Sequence, residues 1–279
     1  MTRFAGIIGH PVAHSLSPVF QAAAFAHCGL DVRYEAWDTP PSALAGRLGS
    51  LRGPDALGAN VTIPHKEAVI PLLDELGGLS ARVGAVNTVV NRAGRLFGFN
   101  TDGPGLVAAL KNEAAFDPAG KSILLLGAGG AARGIAFALG EARSEVIAIW
   151  NRSPDRAYRL LADLNAAGIR ADWQSHPDPW GYDGIVNCTS MGMEGTGTEG
   201  ASPCDFSRAK ADALAVDIVY KPARTAFLAG AEEHGLRTLG GLPMLIYQGG
   251  LAFELWTGVP APVDVMFEAA RQRLREQAR

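Results

Sequence analysis

Residues Gly127-Ala128-Gly129-Gly130-Ala131-Ala132 match the pattern G-x-G-x-x-G/A. Glycines there allow a tight turn and close backbone approach to a pyrophosphate, which then meets the free N–H groups and positive dipole end of a helix. The pattern alone is weak, and a glycine-rich turn that binds nothing is its plain alternative. Here an apolar run, Lys121 to Leu126, reads as a strand before the turn, and Ala131 to Gly140 reads as a helix after it. That context favours a dinucleotide site in which Gly127, Ala128, Gly129, Gly130 and Ala131 contact the cofactor. The next strand, Val146 to Trp150, ends about 20 residues on, where an NAD-binding chain places Asp or Glu against the ribose 2'-hydroxyl. Asn151-Arg152-Ser153 stands there instead. A guanidinium attracts a 2'-phosphate and bonds it in a forked geometry, and the absent carboxylate removes a repulsion, so NADP is preferred over NAD. Arg156 is a second phosphate candidate, with an ordinary solvent-facing arginine as the equal alternative. Ser153, ahead of Pro154-Asp155, also reads as a helix start.

These residues need a scaffold, and short β-branched runs alternating with helical stretches indicate one of the α/β class with a mainly parallel sheet. In the first hundred residues strands are expected at Phe4 to Ile8, Val32 to Trp37, Ala59 to Thr62, Asn87 to Asn91 and Leu96 to Phe99. Helices are expected after Ser17, which reads as an N-cap before Pro18, over Ser42 to Leu51, and after Pro64. A helix from Pro104 through Lys111 crosses to a second unit. There, strands at Lys121 to Leu126, Val146 to Trp150, Gly184 to Cys188 and Leu214 to Val219 alternate with helices at Ala131 to Gly140, Pro154 to Ala166 and Thr225 to His234. This is a doubly wound, Rossmann-type pattern. Two last helices, Met244 to Trp256 and Val263 to Arg275, have no strand between them and are expected to return to the first domain. The expected division is therefore 1–103 with 243–279, and 104–242.

The 279 residues carry 48% apolar and 19% charged side chains, with net charge -3. This composition excludes a disordered chain and a basic nucleic-acid binder. Cys28, Cys188 and Cys204 lack the paired spacing of a zinc site or disulfide framework, which fits a reducing compartment. The first ten residues lack a signal h-region, and the most apolar stretch, Ile123 to Leu139, contains Arg133 and four glycines. A cytoplasmic protein without a membrane span is expected. No spacing suits a metal, so none is expected.

Several further segments carry a resemblance. Gly9-His-Pro-Val-Ala-His14-Ser15-Leu-Ser17-Pro18, Asn60-Val-Thr62-Ile-Pro-His-Lys66, Gly84-Ala-Val-Asn87-Thr88 and Asn100-Thr101-Asp102-Gly103 resemble, in order and spacing, the substrate-domain motifs of shikimate dehydrogenases. The likeness continues through the Gly127 turn, Asn151-Arg152-Ser153, Asn187-Cys-Thr189-Ser190-Met191-Gly192-Met193, Asp217-Ile-Val-Tyr220-Lys-Pro222 and Gly241-Leu-Pro-Met244-Leu-Ile-Tyr-Gln248. The resemblance implies NADP-linked interconversion of 3-dehydroshikimate and shikimate in aromatic biosynthesis, with Lys66 and Asp102 as the catalytic pair. It implies that Ser15 and Ser17 hold the substrate carboxylate and that Asn60, Thr62, Asn87, Tyr220 and Gln248 help fix the ring. Thr189, Val219 and Gly241 are implied on the cofactor side. The chain departs from the family at Gln21 and Ala22, where His and Asn are common.

The residue types suit this chemistry. A polyhydroxylated acid needs a carboxylate anchor and fixed donors and acceptors, so that hydride reaches one carbon and one face. Charge builds on the carbinol oxygen in the transition state, where an ammonium such as Lys66 stabilises it most, and Asp102 can orient that lysine or pass a proton. A cation in the first turn of a helix after Pro64 would be poorly motivated for stability, which argues for a functional Lys66. Asp102 also reads as a helix cap before Pro104. His10, His14 and His65 rank lower, because none occupies the family's proton-transfer position. The nicotinamide and the ring are expected to meet in a groove between the domains. The partners expected are small molecules, with no nucleic acid or membrane, for a monomer or homodimer. A quinate/shikimate or aminoshikimate dehydrogenase, and a dinucleotide-binding sensor without turnover, are the competing readings.

Overall fold

The strand β1 (Arg3–Gly9) is buried at every residue from Ala5 to Gly9, as a strand covered on both faces must be. It is central in the first of two sheets in a computed structural model that describes residues 2–277. Its neighbours are β2 (Val32–Asp38) and β3 (Ala56–Val61), both parallel to it. Beyond β3 lie β5 (Thr88–Arg92) and β6 (Arg95–Phe99), each antiparallel to its neighbour, and then β4 (Glu75–Leu76), giving the order β2-β1-β3-β5-β6-β4. The sheet is thus mixed but mainly parallel, as expected: β5 alone is reversed, because the hairpin β5–β6 turns back on itself through Ala93 and Gly94.

Strand alternation sorts the side chains of this sheet. Ile8, Trp37, Ala59, Val61 and Val89 join Leu44 and Leu48 of α2 (Leu44–Ser50) in a buried core. Ala5, Tyr34, Gly58 and Asn60 occupy the opposite face by register. There Trp256 of α8 (Gly241–Thr257) donates its indole N–H to the Val89 carbonyl at 2.9 Å. Gly58 has φ +149°, and a Cβ on it would sit 1.9 Å from that carbonyl oxygen and 2.7 Å from the indole nitrogen. Only glycine fits so close an approach. The helices α1 (Ser17–His27) and α9 (Val263–Gln277) pack together, and Gln21 of α1, fully buried, donates to the Gly249 carbonyl of α8 at 2.8 Å.

The second sheet is wholly parallel. Its strands are β7 (Ser122–Leu126), β8 (Val146–Trp150), β9 (Ala171–Trp173), β10 (Gly184–Asn187), β11 (Leu214–Asp217) and β12 (Arg237–Leu239), in the order β12-β11-β10-β7-β8-β9. This is the doubly wound order, and it reverses between β7 and β10, the position at whose carboxyl ends folds of this kind bind their ligands. The helices α4 (Asp102–Ala114), α5 (Gly130–Glu141), α6 (Pro154–Ala166) and α7 (Ala226–Glu233) belong to this part. By Cα proximity the chain forms two units, one from residues up to Thr101 and from Ile246 onward, the other from Asp102–Leu245.

Two expectations need correction. No α-helix starts at Pro64: the segment is a series of turns with a short 3-10 helix at Ile70–Leu72, and the next α-helix is the single turn α3 (Ser80–Val83). Pro71 closes the stretch after six residues, too short to propagate a helix from its costly nucleus. The dipole argument for Lys66 therefore falls. Ser17 does not cap its helix, since Leu16 holds the cap position and Ser17 is the first helical residue. Its backbone N–H is instead accepted by the Ser15 hydroxyl at 3.2 Å. Ser153 does hold the N-cap position of α6, yet its side chain makes no cap bond. The strands β4, β9 and β12, two or three residues each, were not anticipated, because runs that short show no alternation.

Candidate active site

In the first unit the polar motif residues lie on the β3–β5 side of the sheet as one hydrogen-bonded cluster. Asn60 lies in β3, which is buried throughout, its register partner on β5 is Thr88, and both are buried. The Asn60 amide donates to the Asn87 carbonyl and the Thr88 hydroxyl, each at 3.3 Å. Asn87, just before β5, is 2% exposed and stands at the centre. Its Oδ1 accepts from the Thr101 backbone N–H at 2.7 Å and its Nδ2 donates to Gln248 Oε1 at 3.2 Å. Thr101 and Thr88 hydroxyls complete the cluster. Asn60, Asn87 and Gln248 thus come together as expected. Tyr34, Thr88 and Thr101 join them, though sequence reasoning gave them no role. Thr88 and Thr101 stood inside quoted motifs, whereas Tyr34 stood in none.

Lys66 is half-buried, and its carbonyl accepts the Val86 N–H at 2.8 Å. This fastens the Lys66 turn one residue from Asn87. On the other side, Thr101 is bonded to Asn87 and is followed directly by Asp102, which is 4% exposed and opens α4. Asn87 therefore sits between the backbone anchors of both residues. Thr62 is half-buried and its N–H is accepted by the Ile8 carbonyl at 2.8 Å. Ser15 is half-buried and Ser17 buried, the pair being tied by the hydrogen bond already described. Tyr220 is half-buried beyond β11. The flanking histidines are engaged elsewhere: His65 is buried with Nε2 on the Thr39 carbonyl at 2.6 Å, and His10 Nδ1 meets Asp38 at 3.0 Å.

The second unit supplies the turn between β7 and α5. Gly127 has φ +116°, its N–H is accepted by the Trp150 carbonyl at 2.7 Å, and a Cβ would lie 3.2 Å from the Cys188 carbonyl group. Gly129 caps α5 with nothing near the position of an added Cβ. Gly130 and Ala131 open the helix with their N–H groups unmatched within it. The residues therefore fit a pyrophosphate: one glycine makes the turn and the next leaves its approach open. Arg152, Ser153 and Arg156 are exposed, and Asn151 donates to the Ser153 carbonyl at 2.9 Å. Arg133, in the first turns of α5, is instead paired to Asp163 at 2.7 Å.

Thr189 and Val219 are held through a shared support that sequence reasoning missed. The buried Asp217 carboxylate accepts from the Val219 N–H at 3.0 Å, the Asn187 amide at 3.1 Å and the Thr225 hydroxyl at 2.6 Å. Asn187 in turn accepts from the Thr189 hydroxyl at 2.7 Å. Burial raises the Asp217 carboxyl above its ordinary range against the pull of these donors. Burial likewise pushes the Cys188 thiol well up, helped by the charges of Asp217 and Asp102, which keeps it protonated and poorly nucleophilic. Gly241, where α8 begins, would place a Cβ 2.3 Å from the Ile218 carbonyl oxygen. Among the described residues no group of three His, Cys, Asp or Glu side chains is arranged to hold a metal ion.

Family models match at both ends of the chain: a shikimate dehydrogenase substrate binding domain over residues 7–89 and a shikimate 5'-dehydrogenase C-terminal domain over residues 241–271. The shikimate dehydrogenase (NADP(+)) of Moorella thermoacetica is 45% identical over 280 residues, covering 98% of this chain and 94% of that protein. The structure of shikimate 5-dehydrogenase from Thermus thermophilus in complex with NADP(H) and shikimate is similar with a TM-score of 0.87 and 46% identity, covering 98% of this chain and 99% of that one. The structure of a shikimate dehydrogenase in complex with NADP+ is similar with a TM-score of 0.91 and 35% identity over 98% and 96%. With likeness of this degree along nearly the whole length of both partners, the chain belongs to the shikimate dehydrogenase family.

Proposed function

We propose that this protein is an NADP-dependent oxidoreductase that interconverts 3-dehydroshikimate and shikimate, a step of aromatic amino-acid biosynthesis. The observation that carries this reading is the buried Asn60–Asn87–Thr101–Gln248 cluster, anchored on one side to the Lys66 turn and on the other to the residue before Asp102. Such a cluster offers several fixed donors and acceptors to one polyhydroxylated ring, beside an ammonium and a carboxylate. In this reading the unit reaching Thr101 and resuming at Ile246 binds the acid, with Ser15 and Ser17 on its carboxylate and Thr62 helping at the ring, and Tyr220, a residue of the other unit, helps at the ring as well. The unit from Asp102 binds the cofactor through the Gly127 turn, with Arg152 and Arg156 on the 2'-phosphate, where Asn151 and Ser153 assist, and with Thr189, Val219 and Gly241 lining the nicotinamide side.

When bound, NADP supplies or takes up the hydride. The chain's own task is to bind, orient and move a proton. In this reading the Lys66 amino group faces the carbinol oxygen. As an ammonium it gives that oxygen a proton when the ketone is reduced, and as an amine it takes the proton back when the alcohol is oxidised. Its positive charge acts most strongly in the transition state. Asp102, buried at the start of α4, orients the ammonium and the reacting hydroxyl and shares the proton. On the same reading the enzyme works in the cytoplasm, as a monomer or homodimer, on small molecules and not on nucleic acid. Among the described residues no helix is long and apolar enough to cross a membrane. The test is nicotinamide absorbance with shikimate, quinate and aminoshikimate, each with NADP and with NAD. Fastest turnover with shikimate and NADP is expected. No turnover with any pair would leave a binding protein, and preference for quinate with NAD would reassign the substrate.

A further inference from the structure

Tyr34 stands on β2, in no recognised motif, and is 8% exposed. Its phenol reaches along the sheet face it shares with Asn60 and donates to Asn60 Oδ1 at 2.7 Å. The Ser17 hydroxyl, on the first residue of α1, is near enough to the same phenol to favour its charged form slightly. The ring itself rests against Trp256, centroid to centroid 6.1 Å. Burial holds the phenol well above its ordinary ionisation range, so it stays a neutral group with one proton to give.

We propose that Tyr34 is a positioning residue for substrate recognition, its hydroxyl locking the Asn60 amide and the Ser17 hydroxyl into one fixed arrangement. The inference rests on the reading above that Ser17 and Asn60 touch the substrate. The donor arithmetic supports it. The phenol spends its proton on Asn60 Oδ1, so the Asn60 NH2 must face the Asn87 carbonyl and the Thr88 hydroxyl, as observed at 3.3 Å. A flipped amide would oppose Oδ1 to the Asn87 carbonyl with no proton between them. Locked this way, Asn60 keeps one Oδ1 lone pair for a guest. The site therefore selects a hydroxyl that donates at this position and disfavours a keto oxygen there. The phenol also offers Ser17 only lone pairs, so the Ser17 proton remains the one to swing onto an incoming carboxylate. Tyr34 thereby couples recognition of the acid group to recognition of the ring.

The experiment uses the full chain and reads steady-state kinetics and thermal melting for Tyr34→Phe, Ser17→Ala, Asn60→Ala and the double variant Tyr34→Phe with Ser17→Ala. Tyr34→Phe is expected to raise KM for shikimate roughly three- to tenfold, about the worth of one neutral hydrogen bond. Its kcat is expected to change less than KM, and its KM for NADP to stay unchanged. On the Ser17→Ala background the effect should shrink, because the two groups act as a unit. A lowered melting temperature with unchanged KM for shikimate, an equal rise in both KM values, or strictly additive effects would overturn the proposal. If Ser17→Ala and Asn60→Ala both leave KM for shikimate unchanged, the substrate assignment fails and takes the Tyr34 proposal with it. If those two raise it and Tyr34→Phe does not, the Tyr34 proposal alone fails. Should Tyr34→Phe not fold, a cycle of Ser17→Ala against Asn60→Ala reads the same link: coupled effects support it and additive effects overturn it.

Discussion

At the scale of single residues, the roles proposed for two side chains can be separated by kinetics. Lys66→Ala is expected to lower kcat by roughly 10²- to 10⁴-fold while raising KM for shikimate much less, since a proton-transfer group acts mostly as charge develops. Steady-state rates with shikimate and NADP measure this, and an unchanged kcat removes Lys66 from the reaction. Arg152 is exposed at the end of β8. Arg152→Ala should weaken NADP by about 1.5 to 3 kcal/mol, the range for a hydrogen bond to a charged group, and leave NAD nearly untouched. Equal losses for the two cofactors would make Arg152 structural. The residue types of this site were legible before any coordinates, because an ammonium, a guanidinium and a glycine turn each carry a distinct chemistry. The partnership of Asn87 with Thr101 and Gln248 was not, since a hydrogen bond between residues 161 positions apart leaves no local trace. Nor was the placement of Ser17, where the pattern Ser-Pro suggested a cap and the folded chain set the hydroxyl near a phenol.

At the scale of elements, close backbone contact and one partly buried carboxylate carry the testable consequences. The helices α4 and α5 meet at Gly103 and Gly134, and a Cβ on Gly103 would sit 2.1 Å from the Gly134 carbonyl oxygen and 2.6 Å from Ala138 Cβ. Gly103→Ala must spread the two helices, so a loss of about 1 to 3 kcal/mol in stability is expected. Because Asp102 adjoins Gly103, kcat should fall as well; calorimetry and rate measurement read the two effects. Asp183, before β10, accepts from the Ser122 N–H of β7 and from Lys210, both at 2.9 Å. Burial raises its carboxyl, but those two donors outweigh it and hold it below the ordinary carboxylate value. A depressed folded pKa contributes stability above the unfolded value, lost as pH falls through the folded one. Asp183→Asn should therefore melt lower than the parent at neutral pH, by roughly a few degrees at most, and the gap should close in acid. A gap independent of pH would count against the ionised carboxylate as its source. Long elements such as α6 were readable to the residue, while the Lys66 segment was misread as helical because prolines on both sides, Pro64 and Pro71, left it too little length.

At the scale of the whole molecule, the tasks proposed for the two units can be displayed separately by hydrogen exchange. The proposed cofactor residues fall within Asp102–Leu245, and most proposed substrate residues fall in the other unit. NADP alone is expected to slow exchange at Gly127 to Arg133 and around Asn151 to Arg156, and shikimate alone at Ser15 to Ser17 and Asn60 to Lys66. Protection of the same amides by both ligands would contradict that division. Sequence by itself determined the class of fold, the doubly wound second half and the glycine turn, and it nominated Lys66, Asp102 and Arg152 by their charge, because periodicity, glycine spacing and side-chain charge are local properties. Tertiary structure alone decided the mixed pairing of the first sheet, the short strands at the sheet edges and the cluster centred on Asn87. It also decided that Tyr34, from the edge strand β2, reaches across β1 to Asn60 on the interior strand β3. The physical reason is that strand order and buried hydrogen bonds are settled by which distant groups find complementary donors and acceptors once water is excluded, and no window of neighbouring residues contains that choice.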